Sequence, residues 1–523
     1  MFPRRRILAL FCISPLLLSS CGFEQVRALN SSVPIVPFKP LPIIAAEENP
    51  WSEEFHPFIG ATAIDVNGDG VMEIFVGGGA GNADSLFFWQ DNTLVNKIAD
   101  SNLSSTQATH GATSIDLDND GDTDLLLARA NGIFLYTNNN GQFSKQQIPV
   151  DLPPASAPLN IAVGDIDRDG DGDLYISAFV DFANFKSATF NDPQHAKTNI
   201  LLRNDGDGIF TDITEESGTA SLQNTFLSSF LDLNQDGWLD LVVAQNTGQV
   251  ELFRNNGDGS FSPQALTTGW GFWMGLAVGD IDADGDQDLF LTNSGTSVPA
   301  WILELAGDGT EEQPRNYGWI LLRNDGDFKL TDVTHEYQLD HYGFAWGAAF
   351  EDLTLDGKLE LLVAQNYIKW FVHRWFKLPG KSFVLHDNVY YDAPMLGMQN
   401  KTFAQAPLVL DINNDGKPDV FWINMEGAPQ AFLNQSENNF ITLQFPDSSA
   451  SIGVRAYAVI NGEAGYTRVL KNNTGFSTDH AALLSFGLGQ QTGVEKIVVQ
   501  WLDGTEKEIL APAINQVIEV NRN

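Results

Sequence analysis

Asp280, Asp282, Asp284 and Asp288 stand at positions 1, 3, 5 and 9 of one short stretch, with Gly285 at position 6. Carboxylates on alternate residues of a tight loop turn onto one point, and calcium is a hard cation that takes several oxygen ligands. Position 6 needs a backbone that tolerates positive φ, hence glycine, and position 7 is expected to offer its backbone carbonyl. Six further stretches repeat the pattern. They are Asp65, Asn67, Asp69 and Glu73; Asp116, Asp118, Asp120 and Asp124; Asp165, Asp167, Asp169 and Asp173; Asp232, Asn234, Asp236 and Asp240; Asp352, Thr354, Asp356 and Glu360; and Asp411, Asn413, Asp415 and Asp419. Position 6 is glycine in all seven. Up to seven structural Ca²⁺ ions are therefore expected. The loops at Asp352, with Thr354 and Glu360, and at Asp65, with Asn67 and Glu73, depart most from the pattern.

An EF-hand begins the same way but needs a bidentate glutamate at position 12 and flanking helices. Position 12 here is Val76, Leu127, Ile176, Val243, Leu291, Val363 or Trp422, all apolar. Short apolar runs beside turn residues read as buried strands, so each loop joins two β-strands.

Charge supports the same reading. The net charge of −38 leaves no basic surface for nucleic acid. The loops concentrate 24 carboxylates at positions 1, 3, 5 and 9, which repel one another unless a counterion joins them.

Residues 1–20 read as a targeting segment. Arg4, Arg5 and Arg6 form a basic start, and Ile7 to Leu18 an apolar stretch too short to span a bilayer comfortably. Leu18, Ser19, Ser20 and Cys21 resemble a bacterial lipobox, which implies cleavage before Cys21, acylation of its thiol and anchoring to the cell envelope, at the outer membrane or cell surface. The other cysteine, Cys12, lies inside the signal, so no disulfide is expected in the mature chain. Residues 21–50, with Pro34, Pro37, Pro40 and Pro42, suit an extended tether, part of which has the option of docking as a strand.

The loops start 51, 49, 67, 48, 72 and 59 residues apart, near the period of four-stranded propeller blades. In the fourth unit, Phe226 to Leu231 reads as strand one, Leu241 to Ala244 as strand two and Val250 to Arg254 as strand three, and Phe261 opens strand four. Leu201 to Gly206 and Leu321 to Gly326 repeat the third strand and its turn. Residues 51–438 resemble the FG-GAP or VCBS repeat family. The resemblance implies an all-β, seven-bladed, calcium-binding propeller related to the integrin α-subunit head, with calcium fastening strand one to strand two. Residues 439–523 lack the loop and read as a small β-sandwich. Ile452 to Arg455, Gly465 to Arg468, Phe486 to Gly489 and Val499 to Gly504 resemble the ASPIC/UnbV domain that follows such propellers in the cartilage acidic protein family. Leu502 stands where that domain commonly has proline.

Catalytic signatures are sparse. The eight histidines make no zinc-binding pair, and no nucleophile elbow or P-loop is present. A binding role without catalysis is expected, as a surface adhesion or recognition module for a protein or glycan. An extracytoplasmic polysaccharide-degrading or redox enzyme is the alternative. Ligand is expected on the face opposite the acidic loops, where long connections arise, at Trp270, Trp273, Trp301 and Trp346. The competing reading packs these rings into the propeller core.

Overall fold

The computed structural model describes residues 38–44, 58–79, 81–152, 156–180, 198–206, 208–221, 223–295, 314–365 and 379–522. Cys21, the segment before it and Trp301 lie outside the described residues.

The fold is an all-β propeller with a C-terminal β domain. The second sheet gives the pattern. Thr109–Ile115, Asp124–Arg129, Gly132–Asn139 and Gln142–Ile148 pair antiparallel in chain order. The first two strands are buried along their whole length, whereas the outermost buries Phe143 and Ile148 among exposed neighbours. Continuous apolar runs thus fall on inner strands and mixed sequence on outer ones. The fourth sheet forms from Thr225–Leu231, Asp240–Gly248, Val250–Asn255 and Phe261–Gln264, close to the strands expected there.

Further sheets built on this pattern succeed one another among the described residues. Neighbouring innermost strands are close enough to bond. Thr113 Oγ1 donates to the Ile161 carbonyl at 3.0 Å, and Gln405 clasps Ile59 N and O across the join between the last sheet and the first. Gly111 lies where a Cβ would meet the Leu159 carbonyl oxygen at 2.3 Å, so the close approach demands glycine.

Part of the segment expected as a tether docks as a strand, the option its sequence left open. Phe38–Leu41 is the fourth strand of the last sheet, antiparallel to Gln430–Asn434. Phe38 and Leu41 are buried and Lys39 and Pro40 exposed. Pro40 lies on an edge strand, where its missing N–H costs no ladder bond. Opposite ends of the propeller region therefore close the ring together.

The C-terminal domain packs a three-stranded sheet (Asn439–Gln444, Leu483–Gly489, Gln516–Glu519) against one built on Arg455–Ile460, Lys496–Gln500 and Glu506–Leu510. Ile441, Leu443, Val454, Phe486, Ile497 and Trp501 fill the space between. It sits on the acidic-loop face of the propeller. Asp447 O accepts from Asp116 N at 2.6 Å, Ser449 Oγ donates to Gly170 O at 2.9 Å, and Thr467 N to Asp280 Oδ2 at 2.8 Å.

Between Val469 and Leu483 the chain leaves this domain and enters the propeller axis. Asn472 Oδ1 accepts from Val163 N at 3.0 Å, Ser477 Oγ donates to Leu159 O at 3.2 Å, and Gly475 exchanges two backbone bonds with Leu276. Asn473 Nδ2 donates to Ile161 O and Thr113 Oγ1. Asp479 accepts from Ser114 N and Asn473 N, and Thr478–Asp479 runs parallel to Ala61–Ile64. At the tip, Phe476 is fully buried against Phe58, Phe226 and Trp346, with ring centroids 5.2, 5.5 and 5.3 Å away. The axis is plugged by the chain's own second domain.

Candidate metal centres and the propeller faces

The acidic loops owe their shape to their own backbone. In the second, Asp116 at position 1 accepts from Asp120 N and Gly121 N at 3.1 and 3.0 Å. Asp124 at position 9 accepts from Leu117 N at 3.1 Å and Asn138 N at 2.8 Å. The same two bonds recur for Asp173, Asp240, Asp288 and Asp419, whose second donors are Asn204, Asn255, Asn324 and Asn434. Asn138, Asn255, Asn324 and Asn434 also donate through Nδ2 to the carbonyl of the residue following position 1 of the preceding acidic loop. These asparagines latch loop to loop, a role sequence reasoning missed. The signal was present, since an asparagine closes the third strand in five units. Position 4 adopts the left-handed region in every loop, from Asn414 at φ 55° to Gly68 at 69°, and position 6 does so from Gly70 at 80° to Gly170 at 100°.

Three loops bring side-chain oxygens of positions 1, 3 and 9 within 4.8 Å of one another: Asp116, Asp118 and Asp124; Asp165, Asp167 and Asp173; Asp280, Asp282 and Asp288. Asp167 Oδ1 is buried with no donor among the described residues. Burial first, then neighbouring carboxylates, pushes Asp173 and Asp288 up to about 8 and Asp124 up to about 7, against the pull of their backbone donors. Carboxylates held this way hold a proton unless a cation takes its place. These donor sets fit a hard divalent ion.

The loops with asparagine at position 3 keep the frame. Asp65 and Glu73, Asp232 and Asp240, and Asp411 and Asp419 make the same bonds from positions 1 and 9 to the loop backbone. Asp69, Asp236 and Asp415 each accept from the N–H two residues on, as do Asp120, Asp169, Asp284 and Asp356. Asn67 Oδ1 accepts from Asp69 N, and Asn234 and Asn413 lie beside Asp236 and Asp415. The loop at Asp352 differs in its bonding, as described below.

The tryptophans divide. Trp273 is fully buried and donates through Nε1 to Gly269 O at 3.2 Å. Trp346 is 7 % exposed and packs into the aromatic cap around Phe476. The expectation that these two meet a ligand gives way to core packing: Trp273 packs between sheets with Leu227, Val250 and Leu276, and the plug brings Phe476 onto Trp346 from the far face. Trp270, Phe272, Tyr317 and Phe344 remain half-buried at strand entries away from the acidic loops, with Phe272 stacked on Tyr317 at 6.1 Å.

A model of FG-GAP-like repeats matches residues 65–127, 116–176 and 232–291, and a model described as ASPIC and UnbV matches residues 446–523. The chain carries FG-GAP repeats followed by an ASPIC/UnbV domain. The repeats contain five of the acidic loops wholly or in part, and the ASPIC/UnbV match contains the whole plug. The chain is similar to cartilage acidic protein 1 of Homo sapiens, 21% identical over 527 residues, covering 84% of this chain and 76% of that protein. The Xenopus tropicalis protein of that name is 23% identical over 370 residues, covering 66% and 53%. Among solved structures, an Agrocybe aegerita lectin that recognises non-reducing terminal N-acetylglucosamine aligns with a TM-score of 0.37 and 15% identity over 87% of this chain and 100% of its own. An exotype rhamnogalacturonan lyase, YesX, aligns at 0.39 and 12% over 76% and 75%. FG-GAP repeats and an ASPIC/UnbV domain make this a propeller module of surface or recognition type.

Proposed function

We propose that this chain is a calcium-stabilised, exported and lipid-anchored recognition module that binds a protein or glycan without transforming it. The observation that carries the reading is the asymmetry of the two propeller faces. The acidic-loop face is covered by the ASPIC/UnbV domain and its axis is filled. The other face keeps half-buried Trp270, Phe272, Tyr317 and Phe344, and aromatic rings of this kind stack on sugars or grip peptides. Calcium is the ion the repeated carboxylate loops fit, and its work here is structural. Lipid attachment rests on Leu18 to Cys21.

A glycan array and a protein-binding screen on the calcium-loaded mature chain test the binding role. Each ring is worth about 1 kcal/mol beyond its burial, so Trp270→Ala with Phe272→Ala is expected to weaken the captured ligand roughly 30-fold, with the melting curve preserved. Unchanged affinity in a folded double variant rejects this face as the site, and turnover of the captured glycan rejects the non-catalytic reading. Anchoring is tested separately. Cys21→Ser is expected to move the protein from the membrane to the soluble fraction, because acyl chains are the anchor proposed; a variant that stays with the membrane counts against the lipobox.

A further inference from the structure

The loop from Asp352 to Glu360 keeps the turn of its relatives but not their ligand set. Asp352 Oδ2 is already surrounded by three donors: Gly357 N at 2.9 Å, Gly487 N at 2.9 Å and Arg468 Nη2 at 3.4 Å. The last two come from the ASPIC/UnbV domain. The Asp352 side chain is fully buried and that of Arg468 is 7 % exposed. The same Arg468 nitrogen donates to Gly357 O at 2.9 Å, and Arg468 Nε to Ser485 O at 3.2 Å, so the guanidinium is fixed.

The other positions differ as well. Position 3 is Thr354, whose hydroxyl donates to Glu360 Oε1 at 3.3 Å and whose N–H donates to Glu360 Oε2 at 2.8 Å. In the six other loops the position 9 carboxylate takes the N–H of position 2. Here it has slipped one residue along, drawn to the threonine. An ion bound to Asp352 at calcium distance would lie within about 6 Å of Arg468 Nη2, where like charges repel. Arg455 offers a contrast. It donates to Gly285 O in the neighbouring loop and, among the described residues, makes no hydrogen bond to that loop's carboxylates.

We infer that the cation of this loop is the guanidinium of Arg468, and that the loop takes no calcium. The inference rests on the calcium reading of the other loops. Six loops then take metal at most, and the seventh position of the ring is a protein-made ion pair that latches the second domain to the propeller. The exchange has a physical sense. A delocalised guanidinium satisfies a buried carboxylate and a carbonyl together, and it does so whatever the calcium concentration.

Calcium per chain, measured by native mass spectrometry at saturation, tests it in the full mature chain. Asp284 and Asp356 both occupy position 5 and are exposed. Asp284→Ala is expected to lose one ion and Asp356→Ala none. Loss of an ion from Asp356→Ala, or seven ions on the unaltered chain, overturns the inference. A chain that binds no calcium at all overturns the calcium reading itself and removes the basis of this one, a result distinct from both. Melting supplies the second measurement. Arg468→Met is expected to lower the transition equally in calcium and in chelator, whereas Asp284→Ala acts only in calcium. An Arg468→Met effect confined to calcium overturns the inference, and if that variant does not fold, the ion count of Asp356→Ala decides.

Discussion

Withdrawing calcium with a chelator is expected to lower the melting temperature by about 15 °C at pH 8, and by much less at pH 5. An ion that binds only the folded chain, held at 100 times its Kd, stabilises by about 2.7 kcal/mol per site. Six such loops would contribute roughly 16 kcal/mol, as much as the whole stability of an ordinary domain. At roughly 2.1 cal/mol/K per residue, a chain of this length loses about 15 °C for that sum. The pH dependence follows from the carboxylates. Burial holds Asp165, Asp232 and Asp411 up to about 6, and Glu73, Asp173, Asp240 and Asp288 up to about 8. Folded values above the unfolded ones mean that the metal-free fold binds extra protons. Their contribution is fully present below the unfolded pKa and is lost as pH rises through the folded values. The chelated chain therefore weakens from pH 5 to pH 8. Calcium needs the same groups deprotonated, so its stabilisation grows over that window and the gap between the two melting curves widens. Superimposed curves at pH 8 would reject metal as the fastening of these loops.

What the sequence made legible was local. A loop whose ligands lie within nine residues of one another announces itself, and apolar runs on either side give the strands it joins. The strands of the fourth unit, from Thr225 to Gln264, fall close to where spacing and turn residues put them. Phe38–Leu41 was harder, because the four prolines around it suit a tether and its partner strand lies almost 400 residues away. Trp346 was hard for another reason. Trp346 stands at a strand entry, the right place for a ligand contact, but whether its ring faces solvent depends on what fills the axis. That is Phe476, supplied by a domain whose position no local pattern encodes. Lys471 to His480 carries asparagine, threonine and glycine, residue types common in turns. Its polar side chains are instead buried against carbonyls and N–H groups of several sheets.

The plug carries the second large prediction. Phe476→Ala is expected to cost about 3–5 kcal/mol, because the ring is fully buried among Phe58, Phe226 and Trp346 and the closed ring of sheets cannot collapse into the space. The polar part of the plug is as exacting. Asn473 Oδ1 accepts from Asn160 Nδ2 at 2.9 Å while its own amide satisfies the Ile161 carbonyl. Asn473→Ala leaves Asn160 Nδ2 buried without that partner, at about 1–3 kcal/mol, whereas the Ile161 carbonyl keeps its bond from Thr113 Oγ1. Asn160→Ala and Asn473→Ala in one chain are expected to cost less than the sum of the two, since the first loss already removes their shared bond. Chemical denaturation of the four proteins in calcium measures these differences. Fluorescence of a probe on the ASPIC/UnbV domain distinguishes undocking from global unfolding. If Phe476→Ala melts like the unaltered chain, the axis is not held by the plug. The domain's attachment then falls to rim contacts such as those at Asp116, Gly170 and Asp280, on loops that calcium is proposed to hold in shape, and to the calcium-independent pair of Arg468 with Asp352. Chelation would in that case loosen the domain before the propeller unfolds, with the Arg468–Asp352 pair as its remaining latch. With the plug in place, the filled axis couples the two domains through the inner strands themselves, and domain and propeller are expected to come apart in one transition.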